Sequence, residues 1–411
     1  MRPAVTPLAA ARKQAFARRD DEFMSSTGLP DYGGGSIVNL MQSIATACGS
    51  SRTDYPPLAL LPAAQLARAR HVVLIVVDGL GQRTLARHAD SLHLQRHQLG
   101  SMTSVFPSTT ASAITTFMTG LAPAQHGLTG WHMHLDEIDQ TLAILPLTPR
   151  DGPPRALPEQ LPERLFEHPS LFQTLDRESW VIAPQSIAGS PFNTWHARGA
   201  QSIAYRTLPE LFASIAELTR EKVKSRYIYA YYPDLDTNSH RFGTDSRQAQ
   251  HTLAEFDAHF GQLRRQLCGS NSWLLVTADH GFIDSPRRRV IDLDDHPQLA
   301  AMLVRPLCGE RHVAYCYVAE ARLPAFETYV RRHLGRACHL YRSEQLIAAG
   351  WFGPPPYHRR LASRAGDYTL VMKDNWTIKD WLAGEKRYTM IGVHGGTSDS
   401  EMRVPLIAMR A

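Results

Sequence analysis

Aspartates and histidines follow several short apolar runs in this chain. The six residues concerned are Asp78, Asp236, His240, Asp279, His280 and His394. In an open α/β sheet, ligands bind beyond the carboxyl ends of the parallel strands, which is where such side chains would meet. Three Asp and three His without a Cys suit hard or borderline divalent cations, and each ion needs about three or four ligands. We therefore predict a site for two divalent metal ions.

Most of these motifs also have an ordinary structural interpretation. Asp78 in "VVDG" fits a turn or a helix N-cap equally well, and the four-residue spacing of Asp236 and His240 often arises by chance. His394 in "GVHGG" fits a flexible surface loop. The segment "TADHG" (277–281) is more informative, because an adjacent Asp and His at a strand end cannot both pack in a core.

The segment "VFPSTTASAITTFMTG" (105–120) is rich in hydroxyls and carries no charge. Ala, Ile, Phe and Met separate its Ser and Thr residues, which is not the composition of a solvated linker. A hydroxyl bound to a divalent ion ionises far more readily than a free one and becomes a nucleophile at neutral pH. A helix N-terminus offers N–H groups to a phosphate, and two ions clamp the attacking and leaving oxygens of a phosphoryl transfer. The segment therefore predicts phosphoryl-transfer chemistry.

The elements that would position these residues alternate along the chain. Strand-like runs and helical patterns occupy, in order, residues 71–79, 109–119, 180–187, 207–222, 226–234, 245–267 and 273–281. This alternation is typical of an α/β fold with a doubly wound, mostly parallel sheet flanked by helices.

The chain outside these runs has a different composition. Residues 282–385, with strand-like pieces at 312–318 and 367–372, predict an inserted α+β cap, so that 51–281 and 386–411 form the core. Residues 1–50 are interpreted as an N-terminal extension and, like 149–165, as irregular structure.

The composition of the 411 residues is that of an ordinary globular protein, with 43% apolar and 20% charged residues. A net charge of +5 favours anionic small molecules and indicates no specific nucleic-acid partner. The basic runs at 285–290 and 330–336 are interpreted as solvated faces rather than binding patches. Five cysteines without regular spacing, no signal-like apolar run and no candidate membrane span predict a cytoplasmic protein. The oligomeric state is left open.

Six motifs in order, "VVDG", "FPSTTASAITTFMTG", "APAQHG", "DLDTNSH", "TADHG" and "GVHGG", resemble those of the alkaline phosphatase superfamily, and within it the nucleotide pyrophosphatase/phosphodiesterase family. The resemblance covers 71–281 and 386–411. It implies that Thr110, ten residues before Gly120, is the nucleophile, with Thr109 as the alternative.

The resemblance also implies two ligand sets for Zn²⁺, or for Mn²⁺ as in some branches of the superfamily. One set is Asp236, His240 and His394, and the other is Asp78, Asp279, His280 and Thr110. A sulfatase is disfavoured, because "VFPSTTA" lacks the motif that a sulfatase requires.

The segment "AQHGLTGWHMHL" (124–135) departs from the family pattern. Trp131 stands where many members place an Asn that holds a phosphate oxygen, and it could stack on a base or sugar or simply lie in the core. His132 and His134 are expected to be solvent-facing strand residues, with substrate contact as the alternative. No Arg equivalent to the phosphate-binding residue of the monoesterases is identified.

The predicted function is two-metal hydrolysis of a phosphodiester or nucleotide pyrophosphate through a covalent threonyl intermediate. Phosphonate hydrolysis or phosphomonoester hydrolysis on the same scaffold is the nearest alternative, and a metal-dependent phosphomutase is the next. A non-enzymatic role is disfavoured, because a full ligand set and a candidate nucleophile are both present.

Overall fold

Two seven-stranded sheets organise the chain in the computed structural model, which describes residues 29–88, 92–151 and 157–411. The strands of the large sheet lie in the order Gln98–Thr103, Arg403–Arg410, Ser272–Thr277, His71–Val77, Arg226–Tyr232, Glu178–Pro184 and Gln201–Tyr205. Neighbouring strands pair in parallel except at Arg403–Arg410, which is antiparallel to both of its neighbours. The sheet is therefore mostly parallel, which confirms the predicted α/β class.

The strand His71–Val77 forms the centre of the large sheet. All seven of its residues are buried, as expected for a continuous β-branched and apolar run that is covered on both faces. It pairs with Arg226–Tyr232 on one side and with Ser272–Thr277 on the other. The carboxyl ends of three strands therefore meet at one place, where ligands of α/β proteins bind.

Helices flank the large sheet and connect its strands. In the described part of the chain they are Ile37–Ala47, Ala63–Ala67, Gln82–Arg87, Leu92–Arg96, Thr110–Thr119, Pro123–His126, Leu161–Leu165, Gln185–Ala188, Pro191–His196, Leu208–Leu218, Asp234–Phe242, Arg247–Gln266, Pro297–Ala300, Leu323–Tyr329, Ser343–Ala348, Leu361–Ala365 and Asp399–Met402. The predicted helices at 207–222 and 245–267 are confirmed, and the hydroxyls of Thr207 and Ser246 cap them. No helix among the described residues is long and apolar enough to span a membrane.

The second sheet is antiparallel. Its strands follow the order Cys338–Arg342, Tyr368–Met372, Val313–Cys316, Cys308–Gly309, His132–Leu135, Gln140–Ala143 and Thr148–Pro149. They come from two stretches, 132–149 and 308–372, so the sheet extends beyond the predicted 282–385 insert. The first stretch lies within the predicted core segment 51–281.

Two smaller strand pairs tie the 282–293 region to later parts of the chain. Ile283–Asp284 pairs with Gly392–Val393, and Val290–Asp292 pairs in parallel with Thr377–Lys379. The first pair brings the loop after Val393 next to the end of the strand Ser272–Thr277. This pairing positions His394.

The interpretation of residues 1–50 as irregular is wrong for Ile37–Ala47, which forms a helix with ten of its eleven residues buried. Its polar residues are uncharged and all but Thr46 are buried, so the helix packs as part of the core. Residues 1–28 lie outside the described part of the chain. In the 149–165 segment the helix Leu161–Leu165 is likewise regular, and residues 152–156 lie outside the described part.

Candidate active site

The first cluster of predicted ligands is formed by two neighbouring strands. Asp78 directly follows His71–Val77, and Asp279 and His280 follow Ser272–Thr277. All three side chains are buried, with 0–3% exposed. His280 Nε2 lies 3.3 Å from Asp78 Oδ1, 3.5 Å from Asp279 Oδ2 and 3.1 Å from Thr110 Oγ1. Four predicted ligand atoms are therefore brought together.

The second cluster combines a helix and a loop. Asp236 and His240 are four residues apart on Asp234–Phe242, so they share one face of that helix. His240 Nε2 lies 3.4 Å from Asp236 Oδ1 and 3.2 Å from His394 Nε2, and Asp236 Oδ1 lies 3.8 Å from His394 Nε2. His240 Nδ1 donates to the Gly392 carbonyl at 2.8 Å, which leaves its Nε2 lone pair facing the cluster.

Both clusters fit divalent cations. The separations of 3.1–3.5 Å and 3.2–3.8 Å are close to the edges of roughly 3.3 Å in a tetrahedron with bonds of about 2.0 Å. Within the described residues, Asp78 Oδ1, Asp236 Oδ1 and Asp279 Oδ2 are buried without a hydrogen-bond partner. Buried carboxylate oxygens without a hydrogen-bond partner need a nearby positive charge to offset their loss of solvation. The donor set of Asp and His suits Zn²⁺ and Mn²⁺ alike.

The acid–base behaviour of the same residues supports this fit. Burial, followed by the neighbouring carboxylates of Asp236 and Asp279, raises the pKa of Asp78 well above its usual range. Burial also raises the pKa of Asp236. Burial, with His280 and His240 nearby, holds the pKa of His394 well below its usual range. The cluster therefore concentrates negative charge that only a cation or protons can neutralise.

The hydroxyl-rich segment begins the helix Thr110–Thr119, and its hydroxyls have different partners. Thr110 is the first helical residue, and its Oγ1 lies in the first cluster. Thr109 is the N-cap, but its hydroxyl donates to Glu310 at 2.6 Å and makes no capping hydrogen bond. The Ser108 hydroxyl donates to the Gly396 carbonyl at 2.7 Å, which fixes the loop that carries His394. The hydroxyl of Thr110, and not that of Thr109, thus lies next to the predicted ligand His280.

A cavity of about 240 Å³ opens onto both the second cluster and Thr110. Its lining also includes three basic residues, Arg150, Arg311 and Lys379. The predicted basic run at 285–290 is not part of this lining. The cavity is therefore suited to an anionic ligand, and its cations come from positions that the sequence motifs did not indicate.

A β-hairpin of the second sheet contributes part of the cavity wall. Cys308–Gly309 pairs with Val313–Cys316, and the Glu310 N–H donates to the Val313 carbonyl at 2.7 Å, which leaves two residues at the tip. Gly309 has φ +79°, and a Cβ there would meet the Val313 carbonyl. Only glycine fits this turn without strain.

Residues of the hairpin contact the candidate site directly. The Glu310 carboxylate accepts hydrogen bonds from the Thr109 hydroxyl and from the Trp131 N–H at 2.8 Å. Burial raises the pKa of Glu310 to about 7. His312 Nδ1 lies 3.0 Å from the buried Glu401 carboxylate, which accepts the Gly396 N–H at 2.8 Å. No motif in the sequence marked these residues.

The structure agrees with some of the predictions for Trp131, His132 and His134 and contradicts others. Trp131 is 37% exposed and lines the cavity, so the core interpretation is wrong. His132 and His134 lie in a strand as predicted, but His134 is 2% exposed and therefore does not face solvent. His132 lines the cavity, and burial, with Arg150, lowers its pKa to about 2. It is therefore a neutral side chain near neutral pH.

The large α/β sheet, with Asp and His clusters at its strand ends, has the architecture of the alkaline phosphatase superfamily that the motifs implied. The family model for type I phosphodiesterase/nucleotide pyrophosphatase matches residues 72–397. The chain belongs to this family.

Individual relatives are distant. An uncharacterized pyrophosphatase/phosphodiesterase of Schizosaccharomyces pombe is 23% identical over 248 residues, which are 53% of this chain and 48% of that relative. The chain thus spans about half the length of the curated relative it matches. Murine ectonucleotide pyrophosphatase/phosphodiesterase 5 superposes with a TM-score of 0.61 at 19% identity, covering 82% of this chain and 87% of that one.

A second solved structure has a different activity in its name. Phosphonoacetate hydrolase from Sinorhizobium meliloti 1021, in complex with phosphonoformate, superposes with a TM-score of 0.61 at 17% identity, covering 83% of this chain and 90% of that one. At these identities both structures establish the fold and leave the substrate open.

Proposed function

We propose that this protein is a two-metal phosphohydrolase that cleaves phosphodiester or nucleotide pyrophosphate bonds through a covalent intermediate on Thr110. The observation that carries the proposal is the position of the Thr110 hydroxyl, 3.1 Å from His280 Nε2 within the first cluster and on the wall of the cavity. Family membership and the two clusters of Asp and His support it.

Asp236, His240 and His394 would hold one divalent cation, and Asp78, Asp279, His280 and Thr110 would hold the other. Bound cations supply the positive charge that favours the ionised Thr110 hydroxyl and the developing charge on phosphoryl oxygens. The choice of Zn²⁺, with Mn²⁺ as the alternative, stays a prediction. So does the cytoplasmic location.

The chain's own residues orient the reaction. Thr110 is the first residue of its helix, so the N–H groups of that first turn point towards a bound phosphate. Because the Thr109 hydroxyl donates to Glu310, it does not cap these N–H groups. The ionised Thr110 Oγ attacks phosphorus, and the bond to the leaving oxygen breaks as that group takes up a proton from water. Water then cleaves the bond between Thr110 Oγ and phosphorus, which releases the remaining phosphate monoester and restores the hydroxyl.

Replacement of the two neighbouring threonines tests the proposal. Thr110→Ala should lower kcat/KM at least ~10³-fold, about 4 kcal/mol, while both metals stay bound, and Thr110→Ser should retain a fraction of the activity. Thr109→Ala is the matched control, because it removes a hydroxyl from the same turn that points to Glu310.

Activity should be measured on bis-nitrophenyl phosphate with metal content determined in parallel. Mass spectrometry of acid-quenched enzyme should locate the modified peptide at 105–120. A fatal Thr109→Ala with a benign Thr110→Ala would contradict the assignment, and so would full activity after exhaustive chelation.

Phosphonate hydrolysis is the second candidate. It is favoured by the likeness to phosphonoacetate hydrolase together with the three basic side chains that line a cavity of only about 240 Å³. Ligand pockets for drug-sized molecules are about 300–1,000 Å³, so a small anionic substrate suits this space. Release of inorganic phosphate from phosphonoacetate, faster than hydrolysis of any nucleotide diester, would favour this second function over the first.

A further inference from the structure

Two of the three basic side chains beside the candidate site form ion pairs within the described part of the chain, and the third does not. Arg150 lies 2.5 Å from Asp380 Oδ1 and 3.0 Å from Glu385 Oε1. Lys379 Nζ lies 3.5 Å from Glu385 Oε2 and 4.0 Å from Asp380 Oδ1. Two carboxylates thus pair with two cations, whereas Arg311 on the same cavity wall forms no ion pair with any described residue.

Arg311 is poorly satisfied by the protein. Its Nη2 is buried and, within the described ranges of the chain, has no hydrogen-bond partner. Its guanidinium carbon lies 5.0 Å from the centroid of the Tyr388 ring and 5.7 Å from that of Trp381. Aromatic faces attract a cation but do not neutralise it, and a buried guanidinium N–H without an acceptor is costly.

The backbone holds Arg311 rigidly next to the residues that contact the nucleophile's turn. Arg311 is at the tip of the hairpin, and its carbonyl accepts the Ile378 N–H at 2.9 Å. Its neighbour Glu310 accepts the Thr109 hydroxyl at 2.6 Å. Consecutive Cα atoms are about 3.8 Å apart, so Arg311 is fixed close to the turn that carries Thr110.

We propose that Arg311 binds a second anionic group of the substrate, a carboxylate or a phosphate, carried a few bonds from the phosphorus that Thr110 attacks. A planar guanidinium recognises either anion with paired N–H donors. The assignment rests on the proposed function for the identity of the reacting phosphorus.

Binding measurements on the metal-loaded protein test the subsite without requiring turnover. Isothermal titration calorimetry should compare ethylphosphonate, which has no second anion, with phosphonoacetate and with methylenediphosphonate, which carry a carboxylate and a phosphonate respectively. The wild type should bind at least one of the two longer anions about tenfold more tightly than ethylphosphonate, equivalent to about 1.4 kcal/mol. The ligand that binds more tightly than ethylphosphonate shows whether the second anionic group is a carboxylate or a phosphate.

Arg311→Gln should abolish this preference and leave the Kd for ethylphosphonate within about threefold of the wild type. Arg311→Lys should keep part of the preference, because the charge remains and the paired donors are lost. Arg336→Gln is the matched control, because Arg336 also lies over an aromatic ring, at 5.4 Å from that of Trp376, but is absent from the cavity wall. It should change none of the three constants.

An unchanged preference in Arg311→Gln would overturn the proposal, and so would an equal loss for all three ligands, which would make the residue structural. These outcomes are separable from failure of the proposed function. If Thr110→Ala retained activity while the Arg311-dependent preference persisted, the nucleophile would be wrong and the anion subsite would stand.

Discussion

Replacing Asp279 by Asn should stabilise the metal-free protein while reducing the stability that the protein gains from metal. Asp279 Oδ1 accepts the Gly79 N–H at 3.1 Å and the His280 N–H at 3.0 Å, and an Asn carbonyl can keep both hydrogen bonds. Asp279 Oδ2 has no hydrogen-bond partner among the described residues, and neither has Asp78 Oδ1. An Asn amide in the place of Oδ2 would give Asp78 a donor.

The size of the effect follows from the geometry. The candidate ligand atoms of Asp78, Asp279 and His280 all lie within 4.8 Å of one another. Two full negative charges at that separation repel by about 3.5 kcal/mol at an effective dielectric constant of 20. Partial protonation of Asp78 already relieves some of this repulsion in the wild type. We therefore expect Asp279→Asn to raise the free energy of unfolding of the apoprotein by about 2 kcal/mol at pH 8.

The gain should depend on pH in a defined direction. Burial and neighbouring carboxylates raise the pKa of Asp78 in the folded protein above its unfolded value. The folded apoprotein therefore holds this proton more tightly than the unfolded chain, so the contribution of Asp78 to stability is greatest at low pH and is lost as the pH rises through the raised pKa. With one carboxylate fewer, the variant should lose less, and its advantage should be larger at pH 8 than at pH 5.

Thermal unfolding of chelator-treated protein at pH 5 to 8, with and without added Zn²⁺, measures all of these effects. Asp257→Asn is the matched control, because Asp257 is also buried but its two oxygens accept N–H groups of His93 and Leu94 at 3.3 and 2.8 Å. That variant should be destabilised. A less stable Asp279→Asn apoprotein, or a gain independent of pH, would refute the repulsion argument.

Two further substitutions test other parts of the structure. Trp131→Ala should raise KM for nucleotide diesters roughly ten- to hundred-fold in steady-state kinetics, with little effect on a simple aryl diester. The reason is that an exposed Trp on the cavity wall can stack on a base. An equal loss of activity on every substrate would show that Trp131 has a structural role. Gly281→Ala should lower the free energy of unfolding by about 3 kcal/mol in thermal unfolding, because its Cβ would collide with the Ser400 carbonyl and lie 2.8 Å from Gly81 Cα. Gly189→Ala is the control and should be neutral, because a Cβ there has no atom within 4 Å. Equal stability of the two variants would contradict this packing.

The core of the site was predictable from the sequence because its signal is local. A fully apolar run such as 72–77 followed by Asp78 marks a buried parallel strand and its carboxyl end in a few residues. The same holds for Asp279 and His280 after Ser272–Thr277. The common edge of one sheet then brings such residues together, whatever their distance along the chain.

The cavity wall was not predictable, since its signal is not local. Glu310 and Thr109 are 201 positions apart in the sequence, and the residues around neither of them predict their hydrogen bond. Among the described residues, Arg311 can be recognised as an unpaired cation only after the structure shows that Asp380 pairs with Arg150. The helix Ile37–Ala47 was missed although its apolar residues recur at helical spacing, so the sequence did contain a signal for it.

The position of Arg403–Arg410 in the large sheet determines when that sheet can close during translation. This strand is the only link, among the described strands, between Gln98–Thr103 and Ser272–Thr277. Until it leaves the ribosome, roughly 125 residues after Thr277, Ser272–Thr277 presents an open edge for about 6–25 s at ordinary rates of synthesis. The strand that joins Gln98–Thr103 to Ser272–Thr277 is thus made after both of its partners, so the nascent chain exposes that edge while the intervening residues are synthesised.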